Sequence, residues 1–97
     1  MIKYDELKIN IGKAIRYNRK KKGLSQYELA ELTNLSPSYI SEIETGKKVP
    51  SIDTLLNIAD ALDVDLWDLL IPIDLPSNVK DAVKQLLKTK TIYSMHQ

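Results

Sequence analysis

Residues 25–45 read SQYELAELTNLSPSYISEIET, and this stretch decides the fold. Ser25 with Glu28 three residues later has the form of a capping box, in which the serine side chain accepts from one orphan amide and the glutamate reaches back to another. Leu24 and Leu29 can close a hydrophobic staple, and Leu29, Ala30 and either Leu32 or Thr33 carry the inner face of a short helix ending near Asn34. Asparagine, after glycine, best tolerates a left-handed backbone, so Asn34 reads as a tight turn. The same grammar then repeats. Leu35 is a staple, Ser36 an N-cap, Pro37 the first helical residue, Ile40 and Ile43 the inner face, and Gly46 the stop. Pro37, Ser38, Ser41, Glu42 and Thr45 point elsewhere, so the outer face of this second helix is polar and small.

Helices extend outward from this pair in both directions. Upstream, Tyr4, Leu7, Ile11, Ala14 and Ile15 form one helical stripe that Gly23 terminates, with Lys20, Lys21 and Lys22 in the last turn, where cations favour the negative end of the dipole. Downstream, Ser51 caps a fourth helix with Leu55, Leu56, Ala59 and Leu62 on one side and Asp53 in its first turn. Asp65 caps a brief fifth helix with Leu66, Leu69 and Leu70, and the prolines of the 71–76 segment exclude a continuous helix there. Val79, Ala82, Val83, Leu86 and Leu87 then follow the i, i+3, i+4, i+7, i+8 rule on a helix starting near Ser77, and no such period continues from Thr89. No strand-like alternation occurs. The fold class is all-α: a five-helix unit over 11–70 with its central motif at about 26–45. Residues 1–10 extend the first helix, 71–76 form a linker, and 77–97 form an amphipathic helix and tail.

Composition narrows the function. Ninety-seven residues with 43% hydrophobic and 28% charged side chains suit one globular domain. Without cysteine there is no disulfide, thiolate metal site or cysteine nucleophile, and the lone His96 has no companion ligand or base nearby, so no enzyme, metal or cofactor is expected. No apolar run reaches membrane-spanning length and no signal peptide is apparent, so the expected location is the cytoplasm. The formal charge of +1 hides an asymmetry: residues 1–50 carry ten basic and six acidic groups, whereas residues 51–78 carry six Asp and nothing basic. An electropositive first half beside an acidic middle suits a chain with one face toward phosphates.

Two capped short helices joined by a tight turn inside an all-helical unit make a helix-turn-helix arrangement, whose first helix crosses the DNA backbone while the second reads the major groove. Ile11-Gly12, Ile15-Arg16, Arg19, Gly23-Leu24-Ser25-Gln26, Leu29-Ala30, Tyr39-Ile40-Ser41, Ile43-Glu44, Gly46, Pro50-Ser51 and Ala61-Leu62 carry a resemblance to the Cro and phage-repressor (Xre-like) family over roughly 11–70. The resemblance implies a five-helix DNA-binding domain that acts as a homodimer on a palindromic operator in double-stranded DNA. It implies that Gln26 bonds a phosphate, that Pro37, Ser38, Tyr39 and Glu42 face bases or adjoining sugar-phosphate, and that Thr45, Lys47 and Lys48 touch phosphates. Arg19 and Glu44 resemble the family's buried ion pair, which is architectural. Each position also has a plainer role. Pro37 and Ser38 can simply start a helix, the Tyr39 ring can pack locally, and Glu42 either accepts from cytosine or serves position and exclusion. Asn18 and Thr33 stand where the family is more often apolar, and Asn34 where it usually has glycine.

Trp67, Leu70 and Ile71, with Ile73, lie near the family's dimer contact, with core packing as the equal alternative. The stripe of Val79, Val83, Leu86 and Leu87 must be covered: by a second copy first, then by its own domain, then by a protein antagonist or toxin. Two functions follow. One is a homodimeric transcription regulator, chiefly a repressor; the other is an antitoxin-type interaction module that uses DNA binding for autoregulation.

Overall fold

The computed structural model describes the backbone of residues 3–95 and side chains through residue 86. The order is α1 (Tyr4–Lys21), α2 (Gln26–Thr33), α3 (Pro37–Glu44), α4 (Ile52–Leu62), α5 (Leu66–Leu70) and α6 (Ser77–Met95), with no strand among the described residues. α1 packs against α3 and α5, α2 against α3 and α4, and α4 against α5. Ile11, Ile15, Leu29, Ile40, Ile43, Leu55, Ile58, Leu62 and Leu69 meet at the centre. No helix among the described residues is long and apolar enough to cross a membrane.

The caps act as their sequences require. Ser25 Oγ accepts from the Glu28 amide at 3.0 Å while Glu28 Oε1 accepts from the Ser25 amide at 2.9 Å. Ser36 Oγ accepts from Tyr39 and Ser51 Oγ from Thr54. Four helices end alike. Gly23, Asn34, Gly46 and Asp63 take positive φ, and the next residue's amide returns to a carbonyl in the last turn: Leu24 to Arg19, Leu35 to Ala30, Lys47 to Glu42 and Val64 to Ala59. Leu24, Leu35 and Val64 also pack on the core, which completes the stop with an apolar contact.

The capping box makes α2 sensitive to both mutation and acid. Ser25→Ala leaves the Glu28 amide without its acceptor and is expected to cost about 1 kcal/mol, lowering the melting temperature by roughly 4–8 °C. The bonds from the Ser25 backbone amide and then its side chain hold the Glu28 carboxyl below its ordinary range. Its contribution is therefore present above that range and disappears as pH falls through the depressed value. Thermal melts followed by circular dichroism between pH 3 and 7 should show a Glu28→Gln deficit shrinking at the acid end. A Glu28→Gln deficit that is constant at all pH values would remove the carboxylate from the cap.

Several apolar expectations are corrected. Tyr4 is 65% exposed because α1 begins well before the point where other helices reach it. On α4 Ile58 joins Leu55, Ala59 and Leu62 on the buried face, while Leu56 is 49% exposed. Of the two candidates on α2, Leu32 and Thr33, it is Thr33 that turns inward, and its hydroxyl donates to the Leu29 carbonyl at 2.8 Å, which makes a polar residue tolerable there. Asn18, half-buried, donates to the Ala14 carbonyl at 2.8 Å, and Asn57 ties α4 to the end of α2 through the Thr33 carbonyl, also at 2.8 Å. Ile71, expected at a dimer contact, is buried within its own chain, because the backbone turns extended where α5 ends. α6 continues to Met95, past the last position of its apolar stripe, since neither glycine nor proline interrupts it.

Candidate nucleic-acid interface

The surface formed by α3, the first turn of α2 and the loop after Gly46 gathers most of the residues singled out in the sequence. Ser36 and Pro37 set the start of α3, and the buried Ile40 and Ile43 fix its rotation about its own axis. That rotation leaves Ser38 exposed and Pro37, Tyr39, Ser41 and Glu42 half-exposed. The positive end of the α3 dipole lies beside Ser38, where an anion is favoured.

Beneath this surface is a buried polar network. Arg19 Nε donates to Glu44 Oε2 at 2.7 Å and Nη2 donates to Glu44 Oε1 at 3.0 Å, a two-pronged pair in which both residues are only 7% exposed. Arg19 Nη1 donates to the Leu24 carbonyl at 2.8 Å. The pair therefore joins the end of α1, the loop before α2 and the end of α3. The hydrogen bond to Glu44 raises the Arg19 pKa more than burial lowers it, so the guanidinium stays charged. Gln26 Nε2 donates to Glu44 Oε1 at 3.1 Å, a link no spacing rule suggests. One amide hydrogen of Gln26 and its carbonyl oxygen remain for a phosphate or water.

Two expected phosphate contacts look different in three dimensions. The Thr45 hydroxyl donates to the Ser41 carbonyl at 2.9 Å and the Glu42 carbonyl at 3.3 Å, so its single proton is already committed. A phosphate oxygen can only accept, and Thr45 as it stands has nothing to offer it. Lys47 is exposed, whereas Lys48 is engaged: its Nζ lies 3.5 Å from Glu42 Oε2 and 6.0 Å from the centre of the Tyr39 ring. Sequence spacing does not pair Glu42 with Lys48, because the contact exists only after Gly46 has turned the chain back along α3.

Away from this surface, Lys20, Lys21 and Lys22 are exposed at the end of α1. Trp67 and Leu70 are half-buried. α6 is fastened by Lys84 Nζ to Asp68 Oδ1 at 2.7 Å and by Lys80 Nζ to the Ile73 carbonyl at 2.8 Å. Of its apolar stripe, Val79 and Leu86 are exposed and Val83 half-buried, while the Leu87 side chain and His96 lie outside the described residues. No cluster of His, Cys, Asp and Glu suited to a metal ion occurs among the described residues.

Comparison with known proteins places this arrangement among others. The helix-turn-helix family model matches residues 15–67. The ImmF control region 10 kDa protein of Bacillus phage phi105 is 41% identical over 56 residues, 58% of this chain and 62% of that protein. The immunity repressor protein of the same phage is 40% identical over 58 residues, 60% of this chain and 40% of the repressor, so the chain spans less than two thirds of either relative. The crystal structure of SinR, a master regulator for biofilm formation, in complex with DNA, superposes with a TM-score of 0.61 at 42% identity, covering 63% of this chain and 98% of that one.

Proposed function

This chain belongs to the helix-turn-helix family of DNA-binding transcriptional regulators, and we propose that it is a repressor that occupies a palindromic operator as a homodimer, with α3 in the major groove. The family is one of regulators and not of enzymes. The observation that carries the proposal is the locked α2–turn–α3 unit: caps at Ser25 and Ser36, a left-handed corner at Asn34, and the Arg19–Glu44 pair beneath. A unit held this firmly presents Ser38, Tyr39 and Glu42 to base edges in one register, which is what sequence reading demands. Lys47 supplies phosphate attraction, Gln26 a phosphate bond through its remaining amide hydrogen, and Pro37 contact with the sugar-phosphate edge.

An eight-residue reading helix contacts only a few base pairs, so useful specificity requires two half-sites, and hence two chains. The exposed side of α6 at Val79 and Leu86, with Val83 beside it and Trp67 and Leu70 nearby in sequence, is the contact proposed between the copies. The deciding experiment is selection of bound duplexes from a random pool, with the mass of the complex and the salt dependence of binding measured on the winners. The expected product is an inverted repeat holding two chains, with half-site centres roughly 34–36 Å apart. Lys47→Ala should weaken binding to all duplexes alike and reduce the salt slope by about 0.9. Tight binding without sequence preference would leave only charge-driven attachment to the backbone and overturn the operator reading.

A further inference from the structure

A carboxylate on the groove-facing side of a reading helix needs an explanation, because the phosphates that line a groove repel it. Glu42 is such a carboxylate, and the structure gives it a companion. Lys48 Nζ lies 3.5 Å from Glu42 Oε2, with side-chain exposures of 37% for Glu42 and 56% for Lys48, so the pair is open toward whatever occupies the groove. The lysine is not on a free loop. The amides of Lys47 and Lys48 both donate to the Glu42 carbonyl, at 2.9 and 3.3 Å, which pins the backbone of the lysine to the residue whose side chain it meets. The Tyr39 ring, one turn earlier on α3, lies 6.0 Å from the ammonium and limits where its stem can swing. The result is an acceptor and a donor side by side, with no net charge to be repelled.

The major-groove edge of a C·G pair presents the complement. Cytosine N4 is a donor, and guanine O6 and N7 are acceptors next to it. We propose that Glu42 and Lys48 act as one unit that reads a single C·G base pair, Glu42 accepting from cytosine N4 and Lys48 donating to guanine O6 or N7. This rests on α3 lying in the major groove, as proposed above. Reversing the pair to G·C sets the carboxylate against O6, acceptor against acceptor. A·T or T·A sets a thymine methyl against a charge that has given up water to enter the groove. Lys48 is then a specificity-determining residue and not a phosphate contact, a distinction that changes what its removal should do.

The test uses the full chain and the selected duplex, with every base pair of the half-site varied in turn. Wild-type protein should prefer C·G at one position of each half-site, other pairs there binding about 5- to 150-fold more weakly. Glu42→Gln should move the preference at that position toward A·T, because an amide matches adenine N6 and N7. Lys48→Met should flatten discrimination at the same position and leave the salt slope unchanged. Neither side chain is part of the core, and unchanged melting temperatures of the two variants would verify this. A Lys48→Met variant that keeps full discrimination at that position while the salt slope falls by about 0.9 would make Lys48 a phosphate contact and overturn the proposal. Specific binding in which Glu42→Gln alters no position would also overturn it, leaving the regulator reading intact. If no duplex is bound at all, that reading fails first and this one with it.

Discussion

Gly12→Ala should be among the most damaging single substitutions in the chain, even though alanine is the better helix former. A Cβ at position 12 would collide with the carbonyl oxygen of Ile43 and would lie 2.7 Å from that of Glu44, both backbone atoms at the end of α3. Helix propensity favours alanine over glycine by about 1 kcal/mol. Overlap with backbone that cannot swing aside costs roughly 3 kcal/mol or more, since α3 as a whole must shift. The overlap wins, and a net loss of about 2–3 kcal/mol should lower the melting temperature by roughly 8–24 °C. Because α3 moves with the collision, DNA affinity at permissive temperature should fall as well. Lys13→Ala, at the exposed neighbouring position, is the control and should change little. If Gly12→Ala melts at or above the wild-type temperature, the close approach of α1 and α3 is wrong.

Glu44→Ala should be at least as severe, for an electrostatic reason. It strips Arg19 of both carboxylate bonds and Gln26 of its acceptor, leaving a guanidinium that cannot lose its proton buried with only the Leu24 carbonyl. Breaking a buried pair in this way costs about 3–5 kcal/mol, a large part of the roughly 5–15 kcal/mol that holds a domain of this size. Replacing both partners by apolar residues, as in Arg19→Met with Glu44→Leu, removes the stranded charge and should recover much of the loss. Urea unfolding of the two variants measures the difference. An architectural pair also requires the double variant to bind DNA better than Glu44→Ala does. Equal stability of the single and double variants would mean that the buried charge is not what Glu44 serves.

Local signals in the sequence translated well into structure. Caps at Ser25, Ser36 and Ser51 and the corner at Asn34 depend on a few adjacent residues, and the structure has all of them. Asp63 takes the same left-handed geometry without announcing it, because aspartate serves caps and solvated surfaces as readily as corners. Side-chain rotation was less legible: the spacing puts Leu56 on the inner face of α4 where Ile58 is buried, and it leaves open the choice between Leu32 and Thr33 on α2, which the structure resolves for Thr33. The reason for Gly12 was not legible, since it lies in the backbone of a helix 31 residues away in sequence. The same holds within the site. Pairing of Glu42 with Lys48 needs the turn at Gly46, and the bond from Gln26 to Glu44 needs α2 and α3 already folded against each other. The α6 stripe announced a face to be covered without naming its cover.

The corner at Asn34 has a consequence beyond the folded state. At φ 58° asparagine holds a left-handed conformation, and it carries a small steric cost there that glycine would not. Before folding the comparison reverses. A glycine wanders over both signs of φ and surrenders that freedom when the turn forms, whereas asparagine has less conformational entropy to lose, a difference of roughly 0.4–1 kcal/mol. Two of the four left-handed stops, at Gly23 and Gly46, keep glycine, while Asp63 repeats the economy of Asn34 at the end of α4. The turn between α2 and α3 is thus stabilised in part by what the unfolded chain is unable to do.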